Sequence, residues 1–323
     1  MRNLQFVSAL LCGAVTLASC NKNLSKDEYP LPEESEKCVL NVSAVSSLQV
    51  KSTGEASAVT AKETAIKDLQ VFVFRGDMLD AYGTASESSL SLTCTAGSRE
   101  VYALVNAPDL KSISSKSALL STMVDLNDNV SKGFVMVGNK IVTLPTTEEV
   151  AISVSRMVSR IVLPKITRDF ESSSLQGLDF TIENIYICDA AGEGSVDGTA
   201  AVTKWYNKST TKTELTSLLV DKVASVKVAN KASYTVTHYF YTMPNDNKVK
   251  KTKLVIEAKL AGTTYYYPVE LPALAANKSY EFTGITIKRP GSDAPDTPVS
   301  SSSIRFSVSV VDWTTETVSE TII

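Results

Sequence analysis

A cysteine near the amino terminus lies in a setting that favours covalent attachment of lipid. It ends the string Leu17-Ala18-Ser19-Cys20, after a positive charge at Arg2 and a largely apolar run from Leu4 to Leu17. Such a run is typical of a secretory signal, because a lasting membrane helix needs about 20 apolar residues. Small residues before a cysteine predict cleavage between Ser19 and Cys20, with acyl chains on the sulfur and on the new amino group. Several acyl chains would hold the protein on a membrane, since each buried CH₂ contributes about 0.8 kcal/mol.

The other residues that could do chemistry indicate structure rather than catalysis. The one histidine, His238, lies in an alternating segment of strand-forming residues, where a histidine is more often structural than catalytic. The sequence has no zinc-protease, nucleophile-elbow, dinucleotide or phosphate-loop motif. The string from Asp125 to Asn129 starts like a calcium loop, but Val130 stands where that loop needs glycine and Met136 where it needs glutamate. The sequence therefore predicts no enzyme activity, no metal site and no cofactor.

Two further strings suggest binding but are better explained as turns. Arg75-Gly76-Asp77 is an integrin-type string, yet it lies between two strand-like segments, which favours a hairpin turn. The side chains of Asp189, Glu193 and Asp197 could hold a cation in a loop. Because their spacing matches no defined ligand set, a solvated turn is the favoured interpretation.

Composition excludes one class of partner and limits the disulfides. The 323 residues carry 32 basic and 35 acidic side chains, a net charge of -3, so nothing favours nucleic-acid binding. Residues 1–19 are predicted to leave as the signal, and the remaining length suggests two domains. Of the later cysteines, Cys38, Cys94 and Cys188, at most two can pair within the chain. Buried free thiols are the favoured interpretation for Cys94 and Cys188.

Short alternating segments separated by turn residues dominate the chain, and only residues 112–126 have a helical pattern. This pattern predicts an all-β protein of two antiparallel β-sandwiches in tandem, covering residues 38–152 and 153–323. The predicted strands are residues 38–45, 66–74, 78–82, 90–95, 100–106, 133–137, 149–154, 179–188, 222–228, 235–242, 253–261, 263–269, 278–288 and 304–313.

The two ends of the chain have unusual arrangements. Residues 20–37 are polar and acidic, which predicts a disordered tether. The first strand is followed by small polar residues up to position 67, a connection that a protease could reach. At the other end, a flexible spacer is predicted at 289–303, before a strand in which Phe306, Val308 and Val310 share a half-buried face. The last ten residues are rich in β-branched types. Such a strand is expected to pair either within its own subunit or with an open sheet edge elsewhere.

The order and spacing of these features resemble the FimA-type fimbrilins, the major-fimbrium subunits of Bacteroidales, over nearly the whole chain. Each motif alone is mostly strand pattern, and their succession carries the resemblance. The motifs are Leu17-Ala18-Ser19-Cys20, Leu69-Gln70-Val71-Phe72-Val73-Phe74, Cys94-Thr95-Ala96-Gly97, Arg156-Met157-Val158-Ser159-Arg160-Ile161, Tyr265-Tyr266-Tyr267-Pro268-Val269 and Val308–Trp313.

The resemblance implies two transthyretin-like sandwiches and export to the outer membrane as a lipidated precursor. It also implies that a trypsin-like protease cuts after a basic residue beyond the first strand, so that residues 38–51 are a removable propeptide strand. The groove left behind would accept the terminal strand of another subunit, giving a head-to-tail fimbrium. No arginine lies between Cys20 and Arg75, so the cut is expected between Lys51 and Ser52, with Lys62 as the alternative. The expected donor residues are Val318, Ile322 and Ile323, with Trp313 anchoring the strand.

Two other functions remain open. The protein could be an anchor or terminal fimbrial lipoprotein that keeps its lipid. It could also be a surface glycan-binding module, since Trp205-Tyr206 and Tyr265-Tyr266-Tyr267 could stack on sugar rings, although aromatic strand residues usually pack against their own protein.

Overall fold

The computed structural model describes residues 36–46, 62–131, 133–208 and 215–313. The predictions for Cys20, Lys51, Ser52, Val318, Ile322 and Ile323 lie outside these residues. The helices are α1 (Lys116–Ser121), α2 (Asp128–Ser131) and α3 (Ser173–Gln176), and residues 62–64 form a helical turn. The strands are β1 (Lys37–Ser46), β2 (Leu69–Arg75), β3 (Met78–Ala85), β4 (Ser89–Thr95), β5 (Gly97–Val105), β6 (Met123–Asp125), β7 (Met136–Leu144), β8 (Val150–Arg156), β9 (Ser159–Leu163), β10 (Ile166–Arg168), β11 (Phe180–Cys188), β12 (Ala190–Ala191), β13 (Glu193–Ser195), β14 (Trp205–Tyr206), β15 (Val220–Lys227), β16 (Ser233–Tyr234), β17 (His238–Thr242), β18 (Lys253–Leu260), β19 (Thr263–Glu270), β20 (Lys278–Ile287) and β21 (Ile304–Asp312).

The first half of the described chain forms a seven-stranded sheet in the order β3-β2-β5-β7-β8-β1-β4. The predicted first strand is confirmed as β1, which pairs antiparallel with β4 and parallel with β8. Its alternating residues explain its place, because Leu40, Val42 and Ala44 face the core while Val39 and Val45 face outward. β1 is therefore an interior strand of this sheet and not an edge strand.

The second half forms a sheet in the order β16-β10-β20-β9-β17, with β21 also on β20, and a four-stranded sheet in the order β15-β11-β18-β19. The all-β prediction is confirmed. One hydrophobic cluster includes Phe72 and Phe134 from the first half and Ile256 and Ile285 from the second. β8 runs through the predicted boundary at 152/153, and the division into domains 38–152 and 153–323 stays a prediction.

The carboxyl-terminal part differs from the sequence expectation in two ways. The expected half-buried face of β21 is wrong for two of its three residues. Among the described strands β21 pairs with β20 alone, and it leaves Phe306 and Val310 exposed while Val308 is half-buried against the large core. The spacer at 289–303 is tied to β19 by main-chain hydrogen bonds in both directions between Tyr266 and Ser292. A Cβ on Gly291 would lie 2.3 Å from the carbonyl oxygen of Tyr266, so this close approach requires glycine.

The predicted helical region is short. α1 begins after the N-cap Ser115, whose hydroxyl accepts a hydrogen bond from the amide of Ala118. It ends at Thr122, where the backbone is extended and leads into β6. The helix covers six residues of the fifteen expected, with Leu119 buried and Leu120 half-buried against the large core.

Candidate functional site: the β1 strand and the Trp313 cluster

The first candidate site is the position that β1 occupies between β4 and β8. The register with β4 runs from Lys37 opposite Thr95 to Ser43 opposite Ser89, and the register with β8 runs from Val42 opposite Val150 to Ser46 opposite Val154. Removing β1 would leave one edge of each neighbour with unpaired amide and carbonyl groups. Such an edge is a template for another extended chain.

The inward side chains of β1 fill a hydrophobic core of their own. Leu40, Val42 and Ala44 are 0%, 1% and 4% exposed, and they belong to a cluster that includes Leu92 and Ile152. Full burial of a leucine or valine contributes about 1.5–3 kcal/mol. Loss of β1 would therefore open an apolar groove as well as two strand edges.

The β4 wall of this groove is held by a carboxylate that does not depend on β1. Asp80 on β3 accepts hydrogen bonds from the amide and hydroxyl of Thr95, at 2.9 and 2.7 Å, and from Nε of Arg99, at 2.9 Å. Burial by itself would raise the pKa of Asp80, but the Thr95 and Arg99 interactions outweigh it and hold the pKa below its usual 3.8. The end of β4 is thus fixed to β3 and β5.

The second candidate site is a buried cluster around the carboxylate of Glu63, which is 1% exposed. Tyr241 donates its hydroxyl to this carboxylate at 2.8 Å, and Nη1 of Arg160 lies 3.1 Å from the nearer oxygen. Nε1 of Trp313 donates to Oε2 at 3.2 Å. Burial, together with the neighbouring Glu63 carboxylate, raises the pKa of Tyr241. The carboxylate is therefore fully engaged by donors from three distant parts of the chain.

Trp313 is fully buried within this cluster, and its role as the anchor of a donor strand stays a prediction. Its ring lies 5.8 Å from the ring of Phe134, edge to face, and the guanidinium groups of Arg156 and Arg160 lie 4.4 and 5.0 Å from it. Nε of Arg156 donates to the main-chain carbonyl of Glu63 at 2.8 Å, and burial lowers the pKa of Arg156 to about 10. Trp313 is the last described residue before the predicted donor segment.

Sequence reasoning missed Glu63, because it falls in the polar segment interpreted as loose connection. Its neighbour Lys62, the alternative cleavage residue, is exposed in the helical turn at 62–64. The only signal in the sequence was that Glu63 is an acidic residue and could pair with the basic motif that contains Arg156 and Arg160. That motif lies far from Glu63 along the chain. Tertiary contacts alone decide that Glu63 is buried and Lys62 is exposed in this turn.

The residues that the sequence excluded as sites have structural partners. Nδ1 of His238 lies 2.7 Å from Asp221 and Nε2 lies 3.1 Å from the Tyr234 hydroxyl, so both ring nitrogens have hydrogen-bond partners within the protein. Gly76 has a φ of +62° in the β2–β3 hairpin, as a tight turn requires. Within the described ranges, no three His, Cys, Asp or Glu side chains come together in a way that could hold a metal ion.

The loop acids and the aromatic strings also contact their own protein. Asp197 accepts hydrogen bonds from Ser195 and Thr199, which is the behaviour of a structured turn. Trp205 and Tyr206 are half-buried against the large core, and Tyr267 is fully buried. None of the helices in the described part of the chain is long and apolar enough to cross a membrane.

Comparison with known proteins supports the resemblance stated from the sequence. Residues 39–163 match the sequence model of the family described as major fimbrial subunit protein (FimA). The matched part begins within β1 and ends with β9, so it contains β4, β8 and all of β1 except Lys37 and Cys38. The resemblance to FimA-type fimbrilins is therefore confirmed for this part. The comparison with curated proteins gave no match.

Solved structures share the fold over most of the chain. A fimbrilin from Porphyromonas gingivalis W83 is 14% identical with a TM-score of 0.64, covering 85% of this chain and 97% of its own. A candidate cell adhesion protein from Bacteroides eggerthii is 20% identical with a TM-score of 0.67, covering 87% of this chain and 97% of its own. At these identities the likeness establishes the fold and leaves the activity to be argued from the site.

Proposed function

We propose that this protein is a structural subunit of a cell-surface fimbrium that supports adhesion and polymerises by strand exchange. The observation that carries the proposal is the position of β1, an amino-terminal strand that fills a core groove between β4 and β8. The match of residues 39–163 to the FimA family model supports the same function. The protein acts by assembly, with copies of itself or related subunits as partners, and uses no cofactor.

Release of β1 is the activating step. A trypsin-like protease cuts between Lys51 and Ser52, and the 38–51 segment then leaves its groove. The alternative cut after Lys62 is disfavoured, because the bond to be cut joins Lys62 to a residue that is 1% exposed and held by Tyr241, Arg160 and Trp313. A protease needs several residues in an extended, accessible form, and this network would have to open first.

The carboxyl-terminal segment of another subunit fills the groove. Val318 and Ile322 are four residues apart, so they face the same side of an extended strand, as Leu40 and Ala44 do in β1. Ile323 then caps the end on the opposite face, and Trp313 anchors the base of the donor strand. The contact is heterologous and does not close on itself, so it generates a filament.

Lipid on Cys20 holds the precursor on the outer membrane before processing. Release of residues 20–51 would separate the subunit from its lipid, which leaves it free to join an extracellular fimbrium. The two transthyretin-like sandwiches, residues 38–152 and 153–323, would keep the groove and the donor segment on different parts of one subunit.

A subunit that keeps residues 20–51 would instead serve as a lipid-anchored or terminal component. In the uncut chain β1 keeps its core contacts. If no protease releases the strand, the groove stays filled, which favours this second function. Retention of the Cys20-linked segment in purified surface fibres would distinguish it from the first function.

Limited trypsin digestion followed by incubation and electron microscopy tests the proposal. We expect a product that begins at Ser52 and assembles into ladders resistant to sodium dodecyl sulfate. Lys51→Ala, or deletion of residues 314–323, should leave monomers, whereas Lys62→Ala is the matched control and should assemble. Ladders formed by uncut protein, or assembly without residues 314–323, would contradict the exchange of β1 for a donor strand.

A further inference from the structure

Two thiols face each other across the strand pair that the proposed function must separate. Cys38 on β1 lies directly opposite Cys94 on β4. The Cys38 thiol donates to the carbonyl of Cys94 at 3.7 Å, and the Cys94 thiol donates to the carbonyl of Cys38 at 3.9 Å. Both side chains lie on the same face of the sheet, because directly opposed residues of paired strands share a face. Both thiols are free in the structure.

The backbone places the two cysteines within reach of a disulfide. The amide of Ala96 donates to the carbonyl of Glu36, and that of Ala44 donates to the carbonyl of Ser88. These pairs lie an even number of residues from Cys38 and Cys94, which makes the cysteines a hydrogen-bonded pair with a Cα separation of about 5.5 Å. Disulfides span Cα separations of about 4.4–6.8 Å. Since Cβ atoms of facing residues are about 4.5–5.5 Å apart and a disulfide needs about 3.5–4.5 Å, the bond would pull on the strands and be readily reduced.

The surroundings decide which sulfur reacts first. Cys94 is 3% exposed, and burial, together with the neighbouring Cys38, raises the pKa of its thiol to about 12. Cys38 near the start of β1 is only half-buried and is open to a reagent. Cys188, by contrast, is buried on β11 opposite Lys253, with no cysteine across from it.

We propose that Cys38 and Cys94 form a reversible disulfide that staples β1 to β4. The oxidant is a disulfide-bearing molecule, such as oxidised glutathione or a thiol–disulfide oxidoreductase. The Cys38 thiolate attacks the oxidant, forms a mixed disulfide and releases one thiolate. The Cys94 thiolate then attacks the Cys38 sulfur, which forms the protein disulfide and releases the second thiolate. Two electrons and the two cysteine protons pass to the oxidant, which leaves as two thiols.

If the proposed function holds, the disulfide adds a second requirement for the release of β1. Cleavage after Lys51 would cut the chain but leave residues 38–51 bound to β4 through sulfur. Reduction by a thiol would then release the strand and open the groove. Assembly of the oxidised subunit would therefore need both a protease and a reductant, whereas the reduced subunit would need the protease alone.

Peptide mapping of the full chain tests the disulfide independently of assembly. The chain is exposed to oxidised glutathione, free thiols are alkylated, and a complete trypsin digest of the denatured protein is analysed by mass spectrometry. We expect peptide 38–51 linked to peptide 76–99, and disappearance of the linked mass on reduction. The peptide 169–204 that contains Cys188 should be alkylated as an internal control. Alkylated Cys38 and Cys94 after oxidant treatment, or linkage of either to Cys188, would overturn the proposal.

Limited digestion of the folded, oxidised chain tests the consequence. We expect segment 38–51 to stay with the domain on a non-reducing denaturing gel and to leave when dithiothreitol is added. Cys94→Ala should release the segment without reductant, and Cys188→Ala is the matched control. Release from the oxidised wild-type protein without reductant would overturn the staple as a barrier. If trypsin fails to cut after Lys51, the proposed function fails, while the linked peptide still decides the disulfide.

Discussion

Glu63 accepts a hydrogen bond from the indole nitrogen of Trp313 at 3.2 Å, across 250 residues of chain. Glu63 directly follows Lys62, at the end of the connection from β1, and Trp313 directly precedes the segment proposed as the donor strand. The contact therefore joins the end of the connection in which the proposed cleavage falls to the base of the proposed donor segment. A buried carboxylate with three side-chain donors makes this junction rigid.

The first prediction concerns the indole hydrogen bond. Trp313→Phe keeps an aromatic ring between the two arginines but removes the donor to Glu63. Loss of one partner from a buried carboxylate should lower the free energy of unfolding by about 1–3 kcal/mol, measured by urea denaturation. Val311→Ala, at an exposed position of β21, should stay within about 0.5 kcal/mol of wild type. Equal midpoints for Trp313→Phe and wild type would show that the contact is not stabilising.

The second prediction concerns protection of the bond after Lys62. Glu63→Ala removes the buried counter-charge beside Arg156 and leaves Arg160 only its ion pair with the more exposed Glu281, which should destabilise the cluster by about 3–5 kcal/mol. Brief trypsin treatment should then yield a fragment that begins at position 63, which wild type should yield slowly or not at all. Mass spectrometry over time measures both products, and Lys62→Ala in the same background should remove the fragment. Rapid cleavage after Lys62 in the wild type would contradict the protection.

The third prediction concerns the core that β1 fills. Leu40→Ala should lower the free energy of unfolding of the uncut chain by about 2–5 kcal/mol, because the side chain is fully buried. Val39→Ala is the matched control, since Val39 is 57% exposed and its change should have little effect. After removal of residues 38–51 the two variants should have identical stability. A persistent difference would place Leu40 outside the released segment.

The fourth prediction concerns pH and the Asp80 carboxylate. Because its pKa is lower in the folded chain than the ordinary 3.8, Asp80 stabilises the fold above that value and loses this contribution as the pH falls through the folded pKa. Asp80→Asn should cost about 1.5–3 kcal/mol at neutral pH, and the difference from wild type should shrink in acid. Urea titrations at neutral and at acid pH measure the free energy of unfolding of each variant. Glu87→Gln, at an exposed position, is the control. A difference independent of pH would contradict the role of the charge.

The fifth prediction concerns which face of the donor strand enters the groove. Val318→Asp should abolish ladder formation after trypsin treatment, because it replaces an apolar side chain proposed to enter the groove with a second charge beside Glu320 on the same face. Thr317→Asp, on the opposite face of an extended strand, is the matched control and should still assemble. The reverse pattern would shift the register by one residue.

The sequence by itself determined the all-β class, the alternation of β1 and the absence of a catalytic motif. Period-two alternation is a local property, so Leu40, Val42 and Ala44 could be assigned to one face without knowing their neighbours. The prediction that Trp313 anchors the donor strand came with the fimbrilin resemblance and stays a prediction, although the structure shows the side chain to be buried. Sequence reasoning overestimated the burial of β21, because alternation does not tell whether a second layer covers a strand.

Only the tertiary structure decided which strands flank β1 and what Glu63 does. Parallel pairing of β1 with β8 joins residues more than 100 positions apart, and nothing in local sequence specifies such a partner. The burial of Glu63 depends on Arg160, Tyr241 and Trp313 arriving from other strands, so a polar residue in a polar segment gave no sign of it. The same holds for Cys38 and Cys94, whose facing positions follow from the register of β1 on β4. Local patterns set which face of a strand is apolar, whereas long-range pairing sets what that face meets.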